Sequence, residues 1–494
     1  MKLLNKYNKL AQAIGATLAI SIISATPAIA NQNHSTAMGS ATLQLSDDSI
    51  IDSIDQLGKL DFRVPTTHRF STDNGVAVVF TELHQLPIVD VSVDFYAGSA
   101  FDSQVRADGD GIANMTATML TQGTSTLDED AFIAKKEQLG IELGGGVSKD
   151  GLSLSVRSLS KAQTLQDATD LFIDALTKPV FDDKILERNK SRLISSVKQQ
   201  KQNPAYVASL AYTQALYGGH PYGHPATGDE ASIKALRRDD LMAFKNQFLT
   251  KDNAKITITG DLSLDDAKAL ANRISAELPS GKSYQGSIST PAKPAPRHIH
   301  IEHDSSQTQI IIGHLIDAER TDTASRQRFS DLSLGNEILA GSDFTARLMK
   351  TIREQKGYTY GIYGGIERMQ AAGSYAVRFS TNGEQVRDAI FDTVAIIQDT
   401  LNNGVTHDEL ELVRLGNKNS FPEIFASNAS THKMTGSLAF GNYPADHLAT
   451  RLDRLDRATI ASVNQALKNT IHPDDFIIIT VGKSKPDLSG LFEK

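Results

Sequence analysis

The chain has 494 residues, of which 40% are hydrophobic, and its formal net charge is −8 at pH 7. A chain of this length can bury more than one hydrophobic core, so several domains are expected. The mildly acidic balance does not favour nucleic acid as a partner. Because the sequence contains no cysteine, disulfide bonds and thiolate metal sites are excluded.

The N-terminus has the pattern of a secretory signal peptide. Lysines near the start precede an apolar stretch over Ile14–Ile29, and Ala28-Ile29-Ala30 matches a small-residue cleavage site. A membrane anchor is the alternative, but about 16 weakly apolar residues are short for a bilayer span. We expect a signal peptide over residues 1–30, a flexible leader over residues 31–60 and a periplasmic protein. Because no cysteine follows the cleavage site, a lipoprotein is not expected.

The rest of the chain shows the same order of elements twice. In each half an alternating strand leads to a helix, and a second helix ends at a glycine within the frame Glu-Gln-x-Gly, at Gly140 and at Gly357. Another strand, two amphipathic helices and a closing strand follow, and the closing strands end at Gly260 and Gly482. The two pairs of glycines are separated by nearly the same interval, which indicates a duplication.

The duplication predicts an α+β fold of two domains, each with an antiparallel-rich sheet covered by helices on one face. The predicted strands are Val89–Phe95, Leu152–Val156, Lys255–Gly260, Thr308–Gly313, Ser374–Phe379 and Phe476–Gly482, and the predicted helices include Phe132–Leu139, Phe329–Leu339 and Phe344–Lys356.

The two halves are joined by a segment without apolar periodicity. Residues 279–297 contain three prolines near their end, which indicates an extended linker. We therefore predict an N-terminal domain over residues 61–278 and a C-terminal domain over residues 298–494. Two halves on such a tether can form a clam shell.

Residues 111–124 predict a helix with apolar side chains on one side. Its opening Gly-Ile-Ala, its Met-Leu pair and its closing Gly-Thr are the flanks that surround H-x-x-E-H in the inverted zinc peptidases. The chain therefore resembles the M16 (pitrilysin/insulinase, mitochondrial processing peptidase-like) family of zinc peptidases, although this segment alone also fits an ordinary buried helix. The duplication, the linker, Asp73-Asn74-Gly75-Val76 and His220-Pro221-Tyr222-Gly223 extend the resemblance over about residues 60–485.

The resemblance implies a degenerate zinc site. In the family two histidines bind zinc and the glutamate activates a water molecule, whereas this chain has Asn114, Ala117 and Thr118 in those positions. The family's third ligand is a carboxylate on a later helix, and that position falls at Ser195 or Ser196. Asparagine, threonine and serine replace imidazole and carboxylate poorly, and alanine cannot accept a proton. We expect this chain to bind no zinc.

The resemblance also draws attention to Arg353 and Tyr360. An arginine and a tyrosine with this spacing face the zinc in the family, where they steer the peptide backbone and hold the substrate carbonyl. The pattern predicts Arg353 in the last turn of a helix ended by Gly357 and Tyr360 on a strand over Tyr358–Tyr363. As purely structural alternatives, an arginine favours a helix C-terminus and a tyrosine favours a strand.

Three other patterns carry little signal. His220-x-x-x-His224 lies among prolines and glycine, which indicates a loop and not a zinc-binding helix. His298 and His300 share a strand face beside the linker, where solvated edge-strand histidines are common. Gly144-Gly145-Gly146 lacks the following helix and lysine that a phosphate cradle requires, so it indicates a strand bend or a loop.

Together these observations predict a catalytically inactive M16-like subunit in the periplasm. It would pair with a zinc-bearing M16 subunit that carries H-x-x-E-H and form a peptidase that degrades unfolded peptides. Its contributions would be a chamber wall, peptide binding and the pair Arg353 and Tyr360. The alternatives are a stand-alone peptide-binding or scaffold protein without peptidase activity, and a hydrolase with an unrecognised site. Neither nucleic-acid binding nor stable membrane insertion is expected.

Overall fold

The computed structural model describes residues 62–318 and 320–491. The signal peptide predicted over residues 1–30 and the leader predicted over residues 31–60 lie outside the described residues. Within the described part of the chain, no helix has both the length and the apolar character needed to cross a membrane.

The first half forms a six-stranded sheet. Its strands are β1 (Thr67–Ser71), β2 (Ala77–Glu82), β3 (Ile88–Phe95), β4 (Glu142–Val147), β5 (Leu152–Leu159) and β6 (Ala254–Gly260). They lie in the order β1-β2-β6-β3-β5-β4, with β2 and β6 parallel and the other neighbours antiparallel. The helices of this half are α1 (Asp102–Val105), α2 (Ile112–Met119), α3 (Glu129–Leu139), α4 (Ala162–Thr177), α5 (Asp183–Gln200), α6 (Pro204–Tyr217), α7 (Glu230–Ala235), α8 (Arg238–Phe248) and α9 (Leu264–Glu277).

The second half repeats this plan with five strands. They are β7 (Arg297–Glu302), β8 (Thr308–Ile316), β9 (Ile362–Arg368), β10 (Gly373–Thr381) and β11 (Ile477–Gly482), in the order β7-β11-β8-β10-β9. Its helices are α10 (Thr323–Ala340), α11 (Val386–Asn403), α12 (His407–Ser420), α13 (Asn428–Phe440), α14 (Arg451–Arg457) and α15 (Ile460–Thr470), and a π-helix spans Met349–Gln355. Again one pair, β7 with β11, is parallel. The prediction of a duplicated α+β fold is confirmed.

Apolar and polar side chains alternate along β3, and this gives the two faces of the first sheet different character. Val89, Val91 and Val93 are buried in the core between the sheet and the helices of its own half. Because successive side chains point to opposite faces, Asp90 and Asp94 lie on the other face. That second face is therefore polar along the middle of the sheet.

The two halves exchange one helix each. α6 of the first half packs on β8 and β11 of the second sheet, and α13 of the second half packs on β2, β3 and β6 of the first sheet. The Tyr212 hydroxyl donates a hydrogen bond to the carbonyl of Tyr375 at 2.9 Å, and the Tyr96 hydroxyl donates to the carbonyl of Phe440, also at 2.9 Å. The central strands of each sheet are thus covered on both faces, whereas the sequence pattern predicts helices on one face only. The difference arises because both faces of these central strands carry side chains that must be packed.

The linking segment lies against the first half. Residues 279–296 contain neither helix nor strand, as the absence of apolar periodicity predicts. Tyr284 is nevertheless 6% exposed, and its ring packs against those of Phe101 and Phe248, with centroids 5.8 and 4.6 Å away. The halves are therefore joined by the exchanged helices and by a packed connection, in addition to the chain itself.

Candidate functional site

Helix α2 carries three of the four positions at which the family has its zinc-binding and catalytic residues. It begins at Gly111, whose φ of 97° is left-handed and favours glycine. The buried Asp102 carboxylate accepts the N–H groups of Gly111 and Ala113, both at 2.8 Å, and so holds the start of the helix. Burial raises the pKa of Asp102 to about 7. This role of Asp102 cannot be predicted from the sequence, because the residue lies outside the helix that it holds.

The side chains on α2 offer little chemistry. Asn114 is half-buried, Ala117 is 3% exposed and packs against β4, and Thr118 is exposed. The Thr118 hydroxyl donates a hydrogen bond to the carbonyl of Asn114 at 2.9 Å. Its hydrogen is therefore directed to its own helix, a local pattern common for threonine.

The fourth position lies on α5, which the fold brings next to α2. The amide of Asn189 donates to the side-chain oxygen of Gln122 at 2.6 Å and approaches the sulfur of Met119 at 3.1 Å. The exposed Ser195 hydroxyl donates to the carbonyl of Ser191 at 2.9 Å, so it too is turned to its own helix.

This donor set does not fit a zinc ion. Zinc in proteins takes imidazole, thiolate or carboxylate ligands, and none of the four positions supplies one. In the part of the chain that the structure describes, no group of three or more His, Cys, Asp or Glu side chains is arranged to hold a metal ion.

Arg353 and Tyr360 belong to the second half, where Arg353 is half-buried and Tyr360 is exposed. Arg353 belongs to the π-helix, and its guanidinium carbon lies 4.4 Å from the ring centroid of Phe344, which is 53% exposed. Tyr360 is 85% exposed. Among the described residues, neither side chain takes part in a hydrogen bond or ion pair, and nothing places the two in direct contact.

Two predicted boundaries around this pair are wrong. The helix predicted over Phe344–Lys356 is a π-helix over Met349–Gln355, and the strand predicted from Tyr358 begins only at Ile362. The reason is local. The Thr359 hydroxyl donates to the carbonyl of Gly361 at 3.0 Å and accepts the Gly361 N–H at 3.2 Å, which holds a turn where a strand ladder would need both backbone groups. Tyr360 therefore projects from a turn.

A polar groove lies between the edge of the first sheet and the exchanged helix α13. We call it the β4–α13 groove, and it is lined by Gly144, Gly146, Ser153, Ser155, His432 and Lys433. It contains two adjoining cavities of about 400 and about 710 Å³. The strand β4 is the last in the sheet order, so one of its edges has no neighbouring strand among the described residues. Of the two alternatives predicted for the three glycines, a strand bend or a loop, the loop is wrong, because the glycines lie within this strand.

The electrostatics of the groove depend on burial. The Arg157 guanidinium donates two hydrogen bonds to Asp90, at 2.8 and 3.1 Å. Burial raises the pKa of Asp94, which accepts a hydrogen bond from Ser92 at 3.0 Å. Burial also lowers the pKa of His432 to about 4, so its imidazole is neutral at pH 7.

The histidine motif at 220–224 has a structural role. The ring of His220 accepts the N–H of Tyr222 at 3.2 Å and donates to the carbonyl of Ser289 at 2.7 Å. The buried hydroxyl of Tyr222 donates to Asp150 and accepts the N–H of Ala371 at 3.2 Å. The motif therefore ties the first half to the turn between β9 and β10.

The remaining histidines of the sequence analysis also have ordinary partners. His224 contacts the carboxylate of Asp110 at 2.9 Å. His298 and His300 both bond the Thr480 hydroxyl, at 2.8 and 3.0 Å.

Comparisons with known proteins agree with this architecture. Residues 77–230 match the family model of the insulinases (peptidase family M16), and residues 235–416 match the model described as the peptidase M16 inactive domain. The solved structure of a peptidase M16 inactive domain from Pseudomonas fluorescens is 34% identical, with a TM-score of 0.80, and the match covers 85% of this chain and 98% of that chain.

Two further proteins extend the comparison. The non-peptidase homolog YmxG of Helicobacter pylori is 23% identical over 431 residues, which cover 85% of this chain and 95% of that protein. The periplasmic protease PqqL from Escherichia coli has the same fold, with a TM-score of 0.71 at 15% identity, and the match covers 98% of this chain and 51% of that chain. The duplicated fold, the altered α2 positions and these matches lead to one conclusion: this chain belongs to peptidase family M16, as an inactive homologue.

Proposed function

We propose that this chain is a non-catalytic subunit, exported to the periplasm, that pairs with a zinc-bearing M16 subunit and presents unfolded peptides to it. One observation carries the proposal. The M16 scaffold is intact, with an unpaired strand edge at β4, while the neighbouring helix α2 has lost the donor set for zinc. The chain itself would bind no metal, and zinc would belong to the partner.

The edge of β4 supports the peptide-binding part of the proposal. An unpaired strand edge presents N–H and C=O groups that an extended peptide can pair with as an added strand. A side chain at Gly144 would meet no atom within 4 Å, so the groove side of β4 is open. A Cβ at Gly145 would lie 2.8 Å from the carbonyl oxygen of Ala117, so the opposite side is closed by α2. A peptide on this edge would lie beside the altered zinc positions.

The chemistry of Arg353 and Tyr360 supports a contribution to the partner's site. A guanidinium and a phenol are hydrogen-bond donors suited to a substrate carbonyl on which negative charge develops. Arg353 is half-buried with its guanidinium on the ring of the exposed Phe344, and Tyr360 is exposed at a turn that the Thr359 hydroxyl holds. In the proposed complex they would act in trans.

The experiment that tests this function is purification of the tagged chain from periplasmic extract, with identification of bound chains, zinc and the mature N-terminus. A stoichiometric partner with H-x-x-E-H, zinc in the complex and a chain that starts at Asn31 are expected. If the chain is recovered alone and without metal, the peptidase complex is rejected.

Two substitutions then test the pair in the purified complex. Arg353→Ala and Tyr360→Phe should each lower peptide turnover by about tenfold or more, since lost donors to an oxyanion cost about 2 kcal/mol or more, and both should leave the complex assembled. Tyr363→Phe is the matched control, because Tyr363 is also an exposed tyrosine, at 47%. Unchanged turnover in both variants would remove the proposed role in trans.

The second candidate function is peptide binding without a partner. It is favoured by the β4–α13 groove, which this chain forms entirely from its own residues. Binding of a labelled unfolded peptide to the isolated chain tests it by fluorescence anisotropy. Gly144→Val should fold normally and weaken binding, because the branched side chain enters the open groove, and equal affinity in both proteins would exclude this edge as the site.

A further inference from the structure

We infer that the β4–α13 groove selects extended peptides that carry acidic side chains at alternate positions. The inference rests on the proposed peptide binding at β4 and names the class of peptide that this site would take. Three features of the groove carry it: the register of the strands, the distribution of charge and the available space.

The register determines which peptide side chains enter the groove. Gly144 pairs with Ser155, and Gly146 pairs with Ser153, so these residues share the sheet face that α13 covers. A peptide strand added to β4 continues the same pleat, and side chains on one face recur about every 6.6 Å. Every second peptide side chain would therefore point toward α13, and the others would point toward α2.

The charge at the groove is positive where those side chains would arrive. Lys433, exposed on α13, lines both cavities, and Lys136 of α3 lines the larger one. Among the described residues, neither lysine forms an ion pair. Arg157 and Asp90 neutralise each other through their two hydrogen bonds.

The acidic groups near the groove do not cancel the two lysines. Glu142 is the exposed carboxylate of the groove, and it lies at the first residue of β4, opposite Arg157. Asp94 is half-buried, it accepts a hydrogen bond from Ser92, and desolvation raises its pKa, which favours the neutral form. Lys433 therefore lines the groove without an ion-pair partner among the described residues.

The space in the groove suits a side chain as long as glutamate. Its floor consists of Gly144, Gly146, Ser153 and Ser155, which are small, and the two cavities together extend along β4. A glutamate that projects from an added strand can reach Lys433 across this floor. A lysine in the same position would meet like charge, and a glutamine would gain no ionic interaction.

The experiment uses the full mature chain and short labelled peptides in which threonine alternates with glutamate, glutamine or lysine. Fluorescence anisotropy at low salt should give an affinity about 3- to 10-fold higher for the glutamate peptide than for the glutamine peptide, because exposed ion pairs contribute about 0.2–1 kcal/mol each. The lysine peptide should bind more weakly than either. The preference should shrink at high salt, where charges are screened.

Lys433→Glu should abolish or reverse the preference for the glutamate peptide over the glutamine peptide. Lys135→Glu is the matched control, because Lys135 lies on α3 beside Lys136 but lines neither cavity. Equal affinities of the wild type for glutamate and glutamine peptides would overturn the inference while peptide binding itself stands. An equal effect of both variants would assign the preference to overall charge and would also overturn it. Failure to bind any of the peptides would instead reject the proposed function.

Discussion

The two exchanged helices cover their sheets in opposite ways. α6 places Ala208, Tyr212 and Ala215 against Ile479 and Val481 of β11, and these side chains form a dry apolar cluster. α13 lies over the polar face of the first sheet and leaves the β4–α13 groove open beside it. Both halves repeat one plan, so the difference shows distinct roles for the two helices. α6 holds the halves together through apolar packing, whereas α13 leaves a cleft beside the first sheet.

α13 is held at both ends and along its buried side. The Lys255 ammonium donates to the carbonyl of Ala439 at 2.7 Å, which places a positive charge at the helix C-terminus, where it is favourable. Burial lowers the pKa of Lys255 to about 8. At the other end, the Asn428 amide donates to the carbonyl of Ile88 at 3.3 Å. In the middle of α13, Thr431 and Thr435 are buried and His432 contacts the Thr259 hydroxyl at 3.1 Å, while the exposed Lys433 lines the groove.

The largest expected loss of stability comes from a substitution in the apolar contact between α6 and the second sheet. Tyr212→Ala removes a side chain that is 2% exposed and leaves the carbonyl of Tyr375 without its donor. We expect the free energy of unfolding to fall by about 3–5 kcal/mol, as for other buried aromatic truncations. Urea unfolding followed by circular dichroism measures the loss. Ser437→Ala, on the groove side of α13, is the control and should change stability by less than about 0.5 kcal/mol. Similar losses in both variants would contradict the contrast between the exchanges.

Much of each half can be predicted from the sequence, because the signals are local. Alternating apolar residues identify β3, and glycines with positive φ, at Gly140 and Gly357, end the helices that precede β4 and β9. The exchange of helices cannot be predicted in this way. The apolar residues of α6 show that it is buried but do not show which sheet it covers. Likewise, the hydroxyl of Thr359 competes with the strand ladder, which a pattern of strand-forming residues does not reveal.

The candidate site, too, can be predicted from the sequence only in part. The loss of zinc ligands at Asn114, Ala117 and Thr118 is visible in the sequence, because it depends only on residue type. The groove is not visible, because it combines β4 with His432 and Lys433, which are close only through the exchange of α13. The alternating polar residues of β3 were the available signal, since a central strand rarely carries them unless its second face has a polar role.

The strand β4 also has one packed face, toward α2, and one open face, toward the groove. Substitutions there should change stability less than Tyr212→Ala does. Gly145→Ala brings a Cβ to 2.8 Å from the Ala117 carbonyl oxygen, so backbone must shift, and we expect a loss of about 1–3 kcal/mol. Gly144→Ala is the matched control, because its Cβ meets no atom within 4 Å and alanine restricts the unfolded chain, which should stabilise the protein by up to about 1 kcal/mol. Thermal unfolding of both variants measures the difference. A Gly144→Ala variant as unstable as Gly145→Ala would show that the groove side is packed and not open.

The smallest expected loss of stability comes from a fall in pH, which would protonate His432 where α13 packs on the polar face of the first sheet. Its pKa is about 4 in the folded chain against 6.5 for the free side chain, with burial as the main cause and nearby Arg157 as a lesser one. The unfolded chain therefore binds the proton first, and stability falls as the pH drops from about 6.5 to about 4. Because the ring borders the groove and water can reach its surroundings, we expect on the order of 1 kcal/mol from this residue.

The comparison of urea midpoints at pH 7 and pH 5 for wild type and His432→Asn isolates this contribution, because the other buried histidines are common to both proteins. The variant should lose less stability on acidification. His84→Asn is the control of opposite sign. Asp261 and Glu82 raise the pKa of this exposed ring, so His84 contributes stability that is present below pH 6.5 and lost as the pH rises, and its removal cannot flatten the acid loss. If His432→Asn leaves the acid loss unchanged, the ring is already solvated in the folded chain. Water would then reach the contact between α13 and the first sheet, as well as the groove beside α13.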